Sequence, residues 1–129
     1  MGVYAIILRI EYVYKGGRFV VRFVDKLYAT ESVSSKLSSI KLKTVSGIGM
    51  INVYFITMAL SEHDIFDIYS ASVFKQRGLR RSDITILGVA GGYMEAVELT
   101  NQMITDCIND GVDPLELRIY FEKYVKSHT

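Results

Sequence analysis

Two short segments carry the residue types from which a site could be assembled. Ser61-Glu62-His63-Asp64 sets a hydroxyl and an imidazole among carboxylates, and Ala90-Gly91-Gly92-Tyr93 joins a pair of unshielded backbone amides to a phenol. Each precedes a stretch with helical character, and the free N–H groups and dipole of a helix start favour an anion. The chemistry on offer is capture of a small phosphate- or carboxylate-bearing ligand. Gly91 and Gly92 would let backbone N–H groups approach it, and His63 would donate a hydrogen bond or move a proton. Tyr93 stands beside the turn, and Glu62 or Glu95 would orient a polar group. His63, Gly91, Gly92 and Tyr93 are therefore the ligand-binding candidates. The plainer account of the same residues is a glycine turn from strand to helix, and a first helical turn capped by Ser61 with carboxylates at its positive end.

Other chemistries lack their residues. Gly88, Gly91 and Gly92 do not make G-x-G-x-x-G, and no phosphate-binding G-x-x-x-x-G-K-[ST] is present. The G-x-S-x-G elbow of serine hydrolases is absent. His63 and Asp67 stand one helical turn apart, but neighbouring Glu62 and Asp64 would diverge, and His128 falls in an expected tail. No metal site and no cofactor is expected. Cys107 sits in an apolar stripe and reads as a small core residue; being the only cysteine, it forms no internal disulfide. No catalytic residue is assigned. Lys75, Arg77, Arg80 and Arg81 form one basic cluster, K-Q-R-G-L-R-R, without the interleaved aromatics that single-stranded nucleic acid stacks upon. A solvated loop is its expected role.

The elements that must position these residues follow from periodicity. Leu8, Ile10, Tyr12 and Tyr14 alternate with Arg9, Glu11 and Val13, Phe19, Val21 and Phe23 alternate with Val20, Arg22 and Val24, and Lys15-Gly16-Gly17-Arg18 between them suits a hairpin turn. Pairing Lys15 with Arg18 would set Tyr14 against Phe19 and Glu11 against Arg22, an opposite-charge cross-strand pair. Residues 29–49 are rich in serine and lysine. Val33, Leu37 and Ile40 at i, i+4 and i+7 permit a short amphipathic helix there. That segment is either a plain surface connection or a lid or partner-docking element.

Residues 51–60 and 83–90 are continuous apolar runs suited to strands covered on both faces. Residues 62–77, with Ile65, Phe66, Ile68, Tyr69, Val73 and Phe74, favour a helix ending at Gly78, with strand as the alternative. Residues 51–90 thus have the form of a right-handed parallel βαβ unit. Ligands of such units sit beyond the C-terminal strand ends, where His63 and the Gly91-Gly92 turn would share one crevice. A clear helix runs from Tyr93 to Asn109 and stops at Gly111. Asp113-Pro114-Leu115-Glu116 then starts a final helix with the stripe Leu117, Tyr120, Phe121, Tyr124 and Val125. Alternation over 115–122 also permits an edge strand. The expected fold is α/β or α+β. It is a mixed sheet with an N-terminal antiparallel hairpin, a parallel βαβ unit and C-terminal helices packed on the sheet, forming a single domain over 1–129.

The bulk composition narrows the function. Half of the 129 residues are hydrophobic, ample for one core and rich for a small monomer. The fifteen aromatic residues are nine tyrosines and six phenylalanines, with no tryptophan, a composition that suits an interface. Fifteen basic and fourteen acidic residues give a net charge of +1, so nucleic acid is not the expected partner. No apolar stretch is long enough to span a bilayer and the first residues lack the order of a signal peptide, so no membrane association and a cytoplasmic location are expected. These features point to a non-enzymatic protein-interaction or assembly module, a homo-oligomer or the binder of a protein partner. The alternative is a binder or enzyme acting on a small anionic ligand at the C-terminal edge of the parallel strands.

Overall fold

The structure is a computed structural model that describes residues 9–14, 17–45, 48–72 and 84–129. Five strands, β1 (Arg9–Tyr14), β2 (Gly17–Ala29), β3 (Tyr54–Met58), β4 (Phe66–Ser70) and β5 (Ile84–Ala90), form one sheet in the order β1-β2-β5-β3-β4. The helices are α1 (Glu31–Ser34), α2 (Leu37–Val45), α3 (Tyr93–Asn109) and α4 (Leu117–Ser127). The sheet is mixed, with an N-terminal antiparallel hairpin, one parallel pair and C-terminal helices packed upon it.

Helices cover both faces. On one, Val33, Leu37 and Ile40 of α1 and α2 bury themselves against Val21, Phe23, Phe55, Ile86 and Val89. The i, i+4, i+7 stripe legible in the sequence is therefore buried and seats that segment on the sheet, although a turn at Ser35-Lys36 divides the one expected helix into α1 and α2. On the other face, Met103 and Cys107 of α3 and Leu117 and Phe121 of α4 pack on Ile56 and Leu87. Strand alternation divides β3 between the two cores, Phe55 going to one and Ile56 to the other.

The parallel pair joins β2 to β5, not residues 51–60 to 83–90. β3 and β5 are adjacent but antiparallel. The cause lies in 62–72, the described part of the expected helix over 62–77, where a strand takes its place. β4 pairs with β3 as a hairpin, Met58 opposite Phe66 and Tyr54 opposite Ser70. Phe66-Asp67-Ile68-Tyr69-Ser70 alternates by twos, and β-branched and aromatic side chains fit a pleated surface better than a helix. Ser61 still caps locally, its Oγ accepting from the His63 N–H at 3.2 Å, but the turn it closes leads into a strand.

The hairpin register also differs from expectation. Tyr14 pairs with Gly17, Tyr12 with Phe19 and Glu11 with Val20, so Arg22 stands opposite Arg9. The slip is an even one, which preserves the alternation while exchanging the partners. Lys15-Gly16, the Val73, Phe74 and Gly78 of the expected helix, and the basic cluster Lys75–Arg81 lie outside the described residues.

Both C-terminal helices carry the ends their sequences specify. Gly111, at φ +95°, closes α3 with a Schellman motif in which its N–H donates to the Ile108 carbonyl and that of Val112 to the Cys107 carbonyl, both at 3.0 Å. Asp113 accepts from the Leu115 N–H at 2.9 Å, and a single 3-10 turn over Pro114–Glu116 leads into α4. Residues 117–122 are helical, which excludes the edge strand there. His128 is no free tail. β2 changes register between Phe23 and Tyr28, and such an irregularity leaves backbone groups without ladder partners. The C-terminal end of α4 supplies them: Asp25 N–H donates to the His128 carbonyl at 2.9 Å and the Tyr124 hydroxyl donates to the Lys26 carbonyl at 2.6 Å. The His128 ring lies 2.9 Å from the Asp25 carboxylate.

Candidate functional site

Antiparallel β3 and β5 carry the two candidate segments to opposite ends of the sheet. Gly91, Gly92 and Tyr93 follow β5 beside the start of β3, where Tyr54 pairs with Ala90 and its ring meets Tyr93 at 5.9 Å. His63 follows the other end of β3. The shared crevice expected of these residues is not formed.

The Gly91 turn does lie at the C-terminal end of the parallel pair. Both β2 and β5 end here, and Thr30 and Ser32 meet Gly91 and Glu95. The Ser32 hydroxyl donates to Glu95 Oε1 at 2.6 Å, and the Gly91 N–H is shared between Thr30 Oγ1 at 3.1 Å and Glu95 Oε1 at 3.3 Å. A carboxylate from the chain itself thus occupies the place at the start of α3 that the glycine turn offers to an external anion. Glu95 is the third residue of the helix, the position from which a glutamate reaches back to free amides. Gly91 is required by proximity, since a Cβ there would stand 2.1 Å from Ser32 Oγ.

The hydrogen bond from Ser32, with help from Thr30 and the Gly91 amide, holds the Glu95 carboxyl below its ordinary range. A carboxylate whose folded pKa is depressed contributes stability that is full above the unfolded pKa and lost as pH falls through the folded value. Glu95→Gln should therefore lower the melting temperature at pH 7, and the gap from the parent should close as the pH falls below the ordinary value of 4.5. Thermal unfolding at pH 7 and near pH 3 checks this; an equal gap at both would show that charge is not involved.

The other end of the sheet holds a different kind of feature. β4 is the last strand in the order, and no described strand pairs with its outer side. The ladder shows which groups face outward. Ala59 N–H donates to the Ile65 carbonyl at 3.0 Å and Ala71 N–H to the Val53 carbonyl at 2.8 Å, so Ile65 and Ala71 point their backbone groups at β3. Because bonded pairs alternate along an antiparallel ladder, Asp67 and Tyr69 do likewise, and Phe66, Ile68 and Ser70 turn their N–H and C=O groups to the free edge. Beside that edge, Phe66, Ile68 and the preceding Ile65 form one wall of a groove of about 330 Å³. Thr100 and Ile104 of α3 form the other, with His63 and Asp64 completing the lining.

Both the strand and its approach are held firmly. Arg118 of α4 donates through its guanidinium to the carbonyls of Ala59, Ser61 and Asp64, tying down the loop that carries His63. Asp67 Oδ2 accepts from the Leu60 N–H and from the Tyr69 hydroxyl, each at 3.1 Å. Burial, reinforced by that carboxylate, pushes the Tyr69 phenol up to about 12, so it remains a donor at any physiological pH. No protein-family model, curated protein or solved structure matches the chain.

Of the sequence-derived candidates, Gly91, Gly92 and Tyr93 stay together by adjacency, and His63 is instead at the groove. Among the described residues, no group of histidines, cysteines and carboxylates is disposed to hold a metal ion, and no helix is long and apolar enough to cross a membrane. Sequence reasoning missed Ile68, Thr100 and Ile104 as site residues. The period-two pattern of 66–70 was the available signal for the strand, but nothing local marks it as the strand at the sheet's edge.

Proposed function

We propose that this domain is a non-enzymatic protein-interaction module that receives an extended segment of a partner along the outer edge of β4. The observation that carries the reading is the outward ladder of Phe66, Ile68 and Ser70, with which no described strand pairs, lying directly beside the apolar groove between β4 and α3. Recognition by strand addition uses these two parts: main-chain hydrogen bonds supply affinity, and a groove for alternate side chains supplies selectivity. β4 also lacks the lysine or proline with which natural edge strands block such pairing. Its one charge, Asp67, is turned to bonds within the domain. The single buried cysteine suits a reducing, cytoplasmic setting. The competing reading, a small anionic ligand at Gly91, has against it the Glu95 carboxylate already hydrogen-bonded there.

Selection of short extended peptides from a displayed library, followed by amide chemical-shift mapping on the full chain, tests the reading. Selected peptides should shift Phe66, Ile68 and Ser70 and, across the groove, Thr100 and Ile104. Peptides that map to Gly91–Tyr93, or a selection yielding no sequence that shifts β4, would overturn it.

A further inference from the structure

We infer that the cavity between α2 and the loop 48–53 binds a small amphipathic phosphate, a phosphate group carried on an apolar body. The inference stands apart from the strand-addition reading, because this cavity lies on the face of the sheet that carries α1 and α2, and the β4 groove on the face that carries α3. Its volume is about 550 Å³, within the range of small-molecule sites. Every residue that lines it is among the described ones.

Charge selects the ligand. Lys36, just before α2, and Ser39 and Lys43 within it are spaced i, i+3 and i+7, so one wall carries two ammonium groups with a hydroxyl between them. Both lysines are exposed, and neither pairs with a carboxylate among the described residues. No aspartate or glutamate lines the cavity. The neighbouring groove, which shares Ser32, is the reverse: Glu31, Glu95 and Glu98 line it without a base. A phosphate monoester carries close to two negative charges at neutral pH, which matches the two cations. Ser32 and Gly91 also border the cavity, but their hydroxyl and amide already donate to Glu95, so the phosphate belongs with the lysines.

The loop wall explains the apolar body. Val33, Ile40 and Met50 are buried in the core beneath the cavity. Ile51 lines the cavity too, yet is 89% exposed, a large apolar side chain left in water that a hydrocarbon chain laid over it would cover. Asn52 follows it at φ +59°, the one non-glycine residue in the left-handed region among the described residues. Asparagine enters that region more readily than most residues, and the turn it makes sets both Ile51 and Asn52 on the wall.

Octyl phosphate titrated into the full chain below its micelle concentration, and followed by amide chemical shifts, tests the inference. It should shift Ser39, Lys43, Ile51 and Asn52 and leave Thr100 and Ile104, on the other face, unmoved. Inorganic phosphate and octanol, the two halves of the probe, should each bind at least about ten-fold more weakly. Lys36→Gln combined with Lys43→Gln should weaken octyl phosphate about ten-fold, and Ile51→Ser by a similar factor. Melting temperatures should not change, since all three side chains are exposed. Octyl phosphate that shifts none of these amides, or that binds the lysine variant as tightly as the parent, overturns the inference. Inorganic phosphate binding as tightly as octyl phosphate overturns the apolar body. Capture of the protein by anionic phospholipid vesicles through Ile51, without any response to free octyl phosphate, would mark a membrane contact and overturn the cavity as the site.

Discussion

Phe121→Ala should cost about 3–5 kcal/mol of folding stability, the range for removing a fully buried phenylalanine. Phe121 is 0% exposed and meets the Phe66 ring edge-on at 4.8 Å between centroids and the Tyr124 ring at 6.4 Å. It is the residue through which α4 grips the sheet, beside Leu117, Met103 and Cys107. Alanine would remove the ring and leave a void whose walls, drawn from a sheet and two helices, cannot collapse together. Urea unfolding measures the loss. Ile119, on the same helix and 51% exposed, provides the control: Ile119→Ala should stay within about 0.5 kcal/mol. Equal costs at the two positions would mean that α4 is not seated as described. Phe66 touches Phe121 on one side and lines the β4 groove on the other, so the same substitution should also loosen the edge strand. Faster amide exchange at Phe66 and Ile68 would register this.

Gly91→Val should be nearly as damaging, at about 3 kcal/mol or more, because it combines overpacking with the loss of a charge-assisted hydrogen bond. The added Cβ would lie 2.1 Å from Ser32 Oγ and 3.2 Å from Ser32 Cβ. Ser32 would have to abandon the Glu95 carboxylate, to which it donates at 2.6 Å. Lost stability would itself weaken any binding, whether or not the turn were a ligand site, so a milder variant separates the causes. Gly91→Ala should cost about 1–3 kcal/mol in the parent and much less in a Ser32→Gly background, where the obstructing side chain is gone. Identical costs in the two backgrounds would show that the glycine is needed for something other than the approach of Ser32. The thermodynamic cycle is also a test of position: it reports contact between residues 91 and 32, which only the parallel pairing of β2 and β5 brings together.

These substitutions act on contacts between elements distant in the chain, and the same division separates what could be read from the residues from what could not. The helices were legible. Val33, Leu37 and Ile40 recur with the period of a helix and all are buried, although they divide between α1 and α2. Tyr93–Asn109 has one apolar stripe and a glycine stop, and Asp113-Pro114 marks the next start. Capping, periodicity and termination are satisfied within a few residues, so they leave their mark in a short window. The hairpin was legible in kind but not in register, since sliding the pairing by two residues keeps the alternation and changes only the partners.

The candidate site was the part least visible. Residues 62–77 satisfy helix and strand patterns together, because short runs of β-branched and aromatic residues fit either period. Tertiary pairing chose the strand, and that one choice turned β3 and β5 antiparallel, parted His63 from Gly91, and left β4 at the edge beside α3. By itself, then, the sequence determined which segments are apolar, where the two C-terminal helices begin and end, and that Gly111 closes the first of them, because those features are settled locally. The direction and order of the strands were decided only by the tertiary structure. Strand order rests on hydrogen bonds between residues far apart in the chain, and a free edge is defined by what does not pair with it.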